Sequence, residues 1–262
     1  MKTCDKIKPI NDASPKIQFY VLNGIIIVII MLAALSGNCV QAEFAEEPNA
    51  IRSVDFTQTE VAEFNKLNSR QVVVVETNLM SEYRASLSVF ELNESGFWQR
   101  CYFLGQDTIP AVIGRNGMSA DKVEGDGCTP VGIYYIGLAF GYMSKIDSGL
   151  NYRQITENDY WVDDSGSPHY NRWIVDITTP AVSAEKMYRL DGLYKYGAVI
   201  EYNTYQPVVG KGSAIFLHIW RDSTTPTAGC AAISEPDILA LLKWLNAEKN
   251  PVILIVVSGN RK

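Results

Sequence analysis

Three kinds of hydrophobic spacing recur along the chain. Val72 to Val75 is apolar without a break, and so is V-I-L-I-V-V from Val252 to Val257. Continuous β-branched runs of this length read as strands buried on both faces. Ala85 to Leu92 instead alternates, with Leu87 and Val89 on one face, which predicts a half-buried strand. With Gln71–Thr77 before it, the turn Asn93-Glu-Ser-Gly96 after it and a strand over 97–105, it makes an antiparallel meander. Further strands are predicted over 109–114, 133–136, 173–177, 196–202 and 214–220. Helical spacing occurs twice. Asp55 to Asn68 places Phe56, Val61, Phe64 and Leu67 on one face, and Ile238, Leu241, Leu242 and Leu245 follow i, i+3, i+4, i+7. Ser234 is a suitable N-cap for the second helix, with Glu235 and Asp237 in its first turn. Ala184 to Leu190 reads as a helical turn. Gly137 to Asp164, rich in Tyr, Asp, Asn and Ser, reads as a long loop whose Tyr142, Tyr152, Tyr160 and Trp161 are available for a groove wall. The sum is a mostly β fold, a sandwich or partly closed barrel with peripheral helices.

The amino-terminal end does not fit this pattern. Lys2, Lys6, Lys8 and Lys16 precede an apolar run from Ile25 to Leu35, and Val40-Gln41-Ala42 resembles a small-residue cleavage site. That is the layout of a signal peptide over residues 1–42, with an uncleaved anchor as the alternative reading. The expected organisation is this leader, a linker and helical extension over 43–69, and one catalytic domain over 70–262. The leader contains four Lys and two acidic residues, which leaves 19 basic and 27 acidic residues, net −8. Such a balance argues against nucleic acid as a partner and confines any membrane tether to the leader itself. Export places Cys101, Cys128 and Cys230 in an oxidising compartment, where Cys101 and Cys128 could pair and leave Cys230 free; three free thiols is the other reading.

Candidate chemistry concentrates between Ile215 and Leu245. His218 lies on a hydrophobic strand and Cys230 stands twelve positions later in Thr227-Ala228-Gly229-Cys230, ahead of the second helix. A cysteine is nucleophilic as its thiolate, and a histidine within reach can take the thiol proton. Gly229 allows close backbone approach, so the N–H groups of Gly229 and Cys230 are expected to hold an oxyanion. Buried structural roles for both side chains are the competing reading. His169, the second of the two histidines, sits in a loop after Pro168 and reads as a groove or surface group. Asp121, Glu124 and Asp126 lie in a Gly-rich turn whose spacing does not match a calcium loop, so turn formation is their expected role.

The spaced motifs resemble the L,D-transpeptidase (YkuD-type) family, in which a strand histidine is followed by an S/T-x-G-C loop bearing the nucleophile. Glu124-Gly-Asp-Gly-Cys-Thr-Pro-Val-Gly132 resembles that family's G-D-G-x-T-P-x-G turn, and Ser167-Pro-His-Tyr-Asn-Arg-Trp173 and Glu201-Tyr-Asn203 follow its pattern. The resemblance spans roughly Gln71 to Val257. Ala228 stands where better-known members have His, Ala232 where they commonly have Arg, and the His-to-Cys interval is shorter than theirs, marking a distinct branch.

The resemblance implies that Cys230 attacks the meso-diaminopimelate–D-alanine bond of a peptidoglycan tetrapeptide stem, with His218 as base and a second stem's amine as acceptor. It implies no cofactor and no metal. Arg221 is expected at the substrate carboxylate in place of the missing Arg, and Thr227, Asn203 and His169 complete the expected substrate contacts. Three other readings remain. The same acyl-enzyme could be resolved by water, giving an L,D-carboxypeptidase or wall hydrolase. A sortase-like enzyme would want an Arg on a late strand, and Val252 to Val257 has none. A non-catalytic wall-binding module would keep Cys230 merely buried.

Overall fold

The computed structural model describes residues 56–102, 105–176 and 183–258, and the backbone of 17–22 and 25–30. It divides into two compact units, Met1–Ala50 and Ile51–Lys262. In the first, β1 (Ile17–Leu22) pairs antiparallel with β2 (Ile25–Ile30), in a register that runs from Ile17↔Ile30 to Leu22↔Ile25. The expected cleavage site at Val40-Gln41-Ala42 and the linker over 43–53 lie outside the described residues. No helix among the described residues is long and apolar enough to cross a membrane.

The second unit contains α1 (Gln58–Lys66), β3 (Gln71–Thr77), β4 (Arg84–Leu92), β5 (Trp98–Cys101), β6 (Ile109–Val112), β7 (Met118–Ser119), β8 (Thr129–Pro130) and β9 (Gly132–Gly141). It continues with β10 (Tyr152–Gln154), β11 (Asp159–Val162), β12 (Arg172–Val175), β13 (Ala184–Lys186), β14 (Tyr196–Ile200), β15 (Phe216–Ile219), β16 (Ala231–Ile233), α2 (Glu235–Trp244) and β17 (Val252–Val257). Eight strands close a ring in the order β9-β14-β15-β16-β6-β4-β3-β17, because β17 pairs back onto β9. The long β9 makes closure possible: Gly132–Tyr135 pairs with β17, and Ile136–Gly141 pairs with β14. A barrel closed in this way has no free edge between its members.

Alternation along the strands sorts the apolar residues into an interior and two outer layers. Inside the ring lie Val73, Val75, Leu87, Val89, Leu217, Ile219, Ala231 and Ile233 among others, together with the apolar face of α2, Ile238, Leu241, Leu242 and Leu245. On one outer face α1 packs Phe64 against Val72, Val74, Phe90, Val252 and Leu254. The uninterrupted apolar runs at 72–75 and 252–257 are therefore covered on both sides. On another outer face Phe140, Trp161, Tyr194, Phe216 and Cys230 form an aromatic cluster. The small antiparallel sheet β12-β11-β13 contributes Trp161 to it and Trp173 to its edge.

The second helix begins where predicted, whereas the first begins at Gln58, inside the predicted Asp55–Asn68 stretch. Thr57 caps α1 in a reciprocal capping box with Glu60, and Ser234 Oγ accepts the Asp237 N–H at the start of α2. Three expectations are corrected. Gly137 to Asp164 is not one long loop: it carries the second half of β9, then β10 and β11. Its Tyr, Trp and Phe residues suit strands, and polarity between them hid that signal. Ala184–Lys186 is a strand rather than a helical turn, held by pairing with β11 that local spacing does not reveal. Cys101 and Cys128 do not pair: both are free thiols. Cys101 is held opposite Val89 on β5, whereas the Cys128 thiol faces the Asn116 and Asp126 carbonyls in the Gly-rich turn.

Candidate active site

β15 and β16 run parallel, with Leu217 opposite Ala231 and His218 opposite Ala232. Cys230 immediately precedes β16, so extending the register by one residue sets it beside Phe216. Leu217, Ile219, Ala231 and Ile233 then point into the ring, while Phe216, His218 and Cys230 share its outer face. His218 and Cys230 become diagonal neighbours on one face of adjacent strands, and both line the same cavity. A three-residue strand thus follows Cys230, and α2 opens only at Glu235. The loop bearing Cys230 is thus tied to β16, and the helix follows from its Ser234 cap as the sequence predicts.

The loop that presents Cys230 is held from below. Thr129 Oγ1 donates to the Gly229 carbonyl at 2.8 Å and accepts the Gly114 N–H at 2.9 Å, and the Arg115 N–H donates to the Thr227 carbonyl at 2.9 Å. The two motifs of the sequence, Gly-Asp-Gly-Cys-Thr-Pro and Thr-Ala-Gly-Cys, are therefore in direct contact. Gly229 has φ +151°, and a Cβ there would stand 2.9 Å from the Cys128 carbonyl oxygen, so only glycine fits. Gly197, the cross-strand partner of His218, is similarly required: a Cβ would meet the Phe140 ring at 2.5 Å.

The Cys230 and His218 side chains are both buried. The Cys230 thiol donates to the Ala214 carbonyl at 3.3 Å, and its sulfur accepts the Phe216 N–H at 3.4 Å. Burial pushes its pKa up to about 12, with the Glu185 charge adding to the rise and the Phe216 N–H, Lys122 and Arg189 opposing it. His218 Nδ1 lies 2.7 Å from the Ile219 carbonyl. A carbonyl only accepts, so Nδ1 carries the hydrogen and Nε2 is the basic nitrogen. Burial lowers the His218 pKa to about 4 despite the Ile219 carbonyl. The Tyr194 ring meets the imidazole edge-on at 5.1 Å, and Tyr194 in turn donates to Glu185 at 2.6 Å.

A cavity of about 570 Å³ opens on Cys230 and His218. Gly229, Thr227 and Arg221 line it, and Asn203 and His169 do not. Thr227 is engaged within its own loop: its hydroxyl donates to the Cys230 carbonyl at 2.6 Å and accepts the Gly229 N–H at 3.1 Å. The Gly229 amide expected to hold an oxyanion is thus occupied in the resting site. Arg221 is exposed and sits 3.5 Å from Asp191, whose carboxylate is already gripped by both Nε and a terminal nitrogen of Arg189. Asn203 spends its side chain on Val208 and Gly212, stitching the 203–212 loop. His169 is exposed, and its backbone N–H donates to Ser167 Oγ.

Its neighbours Tyr170 and Asn171 are the structural hub of that motif. Tyr170 donates to Glu124 at 2.5 Å, and Asn171 Oδ1 accepts from Trp161 Nε1 and from the Ala214 N–H. The cavity also draws in Arg115, Lys122, Asp163, Glu185 and Arg189. None of these stands out in the sequence, because they come together from separate segments, 115–122, 163 and 185–189. Asp163 Oδ1 is buried there without a hydrogen-bond partner. Glu185 is half-buried, its pKa raised by burial against the pull of Tyr194 and Arg189. The carboxylates of the Gly-rich turn are separately occupied: Asp121 by Lys211, Glu124 by Tyr170 and Ser213, and Asp126 by Lys122.

No curated protein and no solved structure matches the chain. The family model of the L,D-transpeptidase catalytic domain, YkuD, matches residues 99–254, more than half of its length. That span takes in β9, the small three-stranded sheet, His218, Cys230 and α2, and its function is of the L,D-transpeptidase type. With the closed β ring and the paired motifs beneath Cys230, the match places this chain in the YkuD L,D-transpeptidase catalytic domain family.

Proposed function

We propose that the protein is an exported cysteine L,D-transpeptidase acting on peptidoglycan stem peptides in the cell envelope. The observation that carries this reading is the one cavity wall on which Cys230 and a neutral, Nδ1-protonated His218 stand together. A thiol held at a pKa of about 12 beside an imidazole at about 4 is not a stored thiolate–imidazolium pair. Proton transfer must accompany attack, as in general-base catalysis. His218 Nε2 takes the thiol proton as Cys230 Sγ bonds to the donor carbonyl between diaminopimelate and D-alanine. The carbonyl electron pair moves to oxygen. Collapse of this adduct breaks the C–N bond, and the imidazolium proton passes to the departing D-alanine amine, leaving a thioester. An acceptor amine then adds while His218 takes its proton, and collapse returns that proton to the Cys230 sulfur.

Arg221 is the proposed contact for the substrate carboxylate. Its tie to Asp191 is a long exposed one of the kind that contributes little, so a bidentate partner can displace it. The cavity supports this assignment better than a binding module, because a merely structural cysteine has no need of a cavity shared with a histidine.

Intact-mass spectrometry of the 51–262 unit with purified tetrapeptide stems tests the reading. The expected result is a Cys230 adduct with release of D-alanine and accumulation of cross-linked dimers, all absent in Cys230→Ala. Tripeptide as the sole product would assign a hydrolase, and turnover by Cys230→Ala would remove Cys230 from the chemistry.

A further inference from the structure

We propose that Lys122 is a charge-positioning residue of this site, whose buried ammonium stabilises the Cys230 thiolate and the oxyanion of the tetrahedral adduct. The proposal deepens the acyl-enzyme reading above and rests on it for the oxyanion, but not for the thiolate.

Lysine is rarely buried, and the Lys122 side chain is only 4 % exposed. Its path is prepared by two glycines. A Cβ on Gly212 would stand 2.7 Å from Lys122 Cε, and a Cβ on Gly229 would stand 3.6 Å from its Nζ. The side chain therefore threads past Gly212 and brings its ammonium beside the residue that precedes Cys230. Asp126 holds Nζ at 2.7 Å and accepts the Val123 and Cys128 N–H groups, so the Gly-Asp-Gly turn is built around this cation. Lys122 lines the cavity and Asp126 does not. If the pair served only to staple the turn, the ammonium would have no reason to reach the nucleophile loop.

The loop has need of a positive charge. The Gly229 N–H is occupied by Thr227 Oγ1. The other charged groups acting on Cys230 are Glu185, which opposes ionisation, and Arg189, which favours it. These two are paired at 3.0 Å, and Glu185 acts on the thiol more strongly than Arg189 does. The neutral His218 and Tyr194 complete the surroundings. Lys122, ahead of Arg189, is the cation that most favours negative charge on sulfur and, later, on oxygen, in a site where low dielectric strengthens it.

The test is the rate of Cys230 alkylation by iodoacetamide between pH 5 and 10, resolved from Cys101 and Cys128 by peptide mass spectrometry. It needs no stem peptide, so it fails independently of the transpeptidase reading. Lys122→Met is expected to slow alkylation at neutral pH about tenfold, one unit of thiol pKa, and Lys122→Arg to recover most of that loss. Asp126→Asn, which removes the counter-charge, is expected to displace the profile the opposite way. With tetrapeptide as substrate, Lys122→Met should lower kcat and leave KM near the wild-type value. A Lys122→Met profile that superimposes on the wild type overturns the proposal. So does displacement of the Met and Asn variants in the same direction, the signature of a disturbed turn. Should Lys122→Met not fold, the Arg and Asn variants decide the sign by themselves.

Discussion

The two faces of β15 and β16 bury residues equally and do different things. Leu217, Ile219, Ala231 and Ile233 fill the ring with aliphatic side chains that bring no polar atom. One residue away, Phe216, His218 and Cys230 lie in an aromatic layer whose main polar groups are hydrogen-bonded. The imidazole has the Ile219 carbonyl, the thiol the Ala214 carbonyl, the Tyr194 hydroxyl Glu185, and the Trp161 indole Asn171. Buried polar groups are tolerated when each is satisfied, and the outer face meets that condition through loops and the small sheet.

Three measurements would break or sharpen this contrast. The largest effect is expected on the outer face. His218→Ala should slow acyl-enzyme formation by about 10²–10⁴-fold near pH 7, the usual contribution of a positioned acid–base group. Full activity in single-turnover assays would erase the distinction between the faces. Next comes the inner face. Leu217→Ala should cost about 2–5 kcal/mol of stability in chemical denaturation, through lost burial and a cavity. Its acylation rate per folded molecule should stay near wild type, and a thousandfold loss there would show that the ring is part of the chemistry.

The smallest effect is the pH dependence of stability. Unfolded His218 titrates near 6.5 and folded His218 near 4, so on acidification the unfolded chain takes up the proton first. The associated stability is fully present above pH 6.5 and is lost as pH falls through 4, about 3 kcal/mol in all. Cys230 acts at the other end: its stability is present below pH 9 and is lost as pH rises toward 12. Melting curves should show the acid loss in wild type and a smaller one in His218→Leu. An equal loss in both would assign it to other groups.

Much of this was legible in the chain. The strands over Gln71–Thr77 and Val252–Val257, the helix capped at Ser234, the mostly β class and the placing of Cys230 and His218 in one stretch all follow from short-range signals. Those signals are apolar period, capping residues and motif spacing, and each is complete within a few residues. The substrate set was less legible. Arg221 and Thr227 reach the cavity, whereas Asn203 and His169 serve the outer loops. A motif records that residues travel together, not which of them faces the cavity. In Ser167–Trp173 it is Tyr170 and Asn171 that hold the layers together.

By itself the sequence determined which segments could be buried and on which faces, and it marked Cys230 and His218 as candidates for nucleophile and base. Tertiary structure decided everything that depends on distant segments meeting. The ring closes because the two halves of β9 pair with β14 and β17. The basic nitrogen of His218 is chosen by the Ile219 carbonyl. Lys122 becomes a charge beside Cys230 only when the Gly-Asp-Gly turn docks under Gly229. Local period encodes the burial of a face, but a charge acts through space, and its neighbours exist only once the chain has folded.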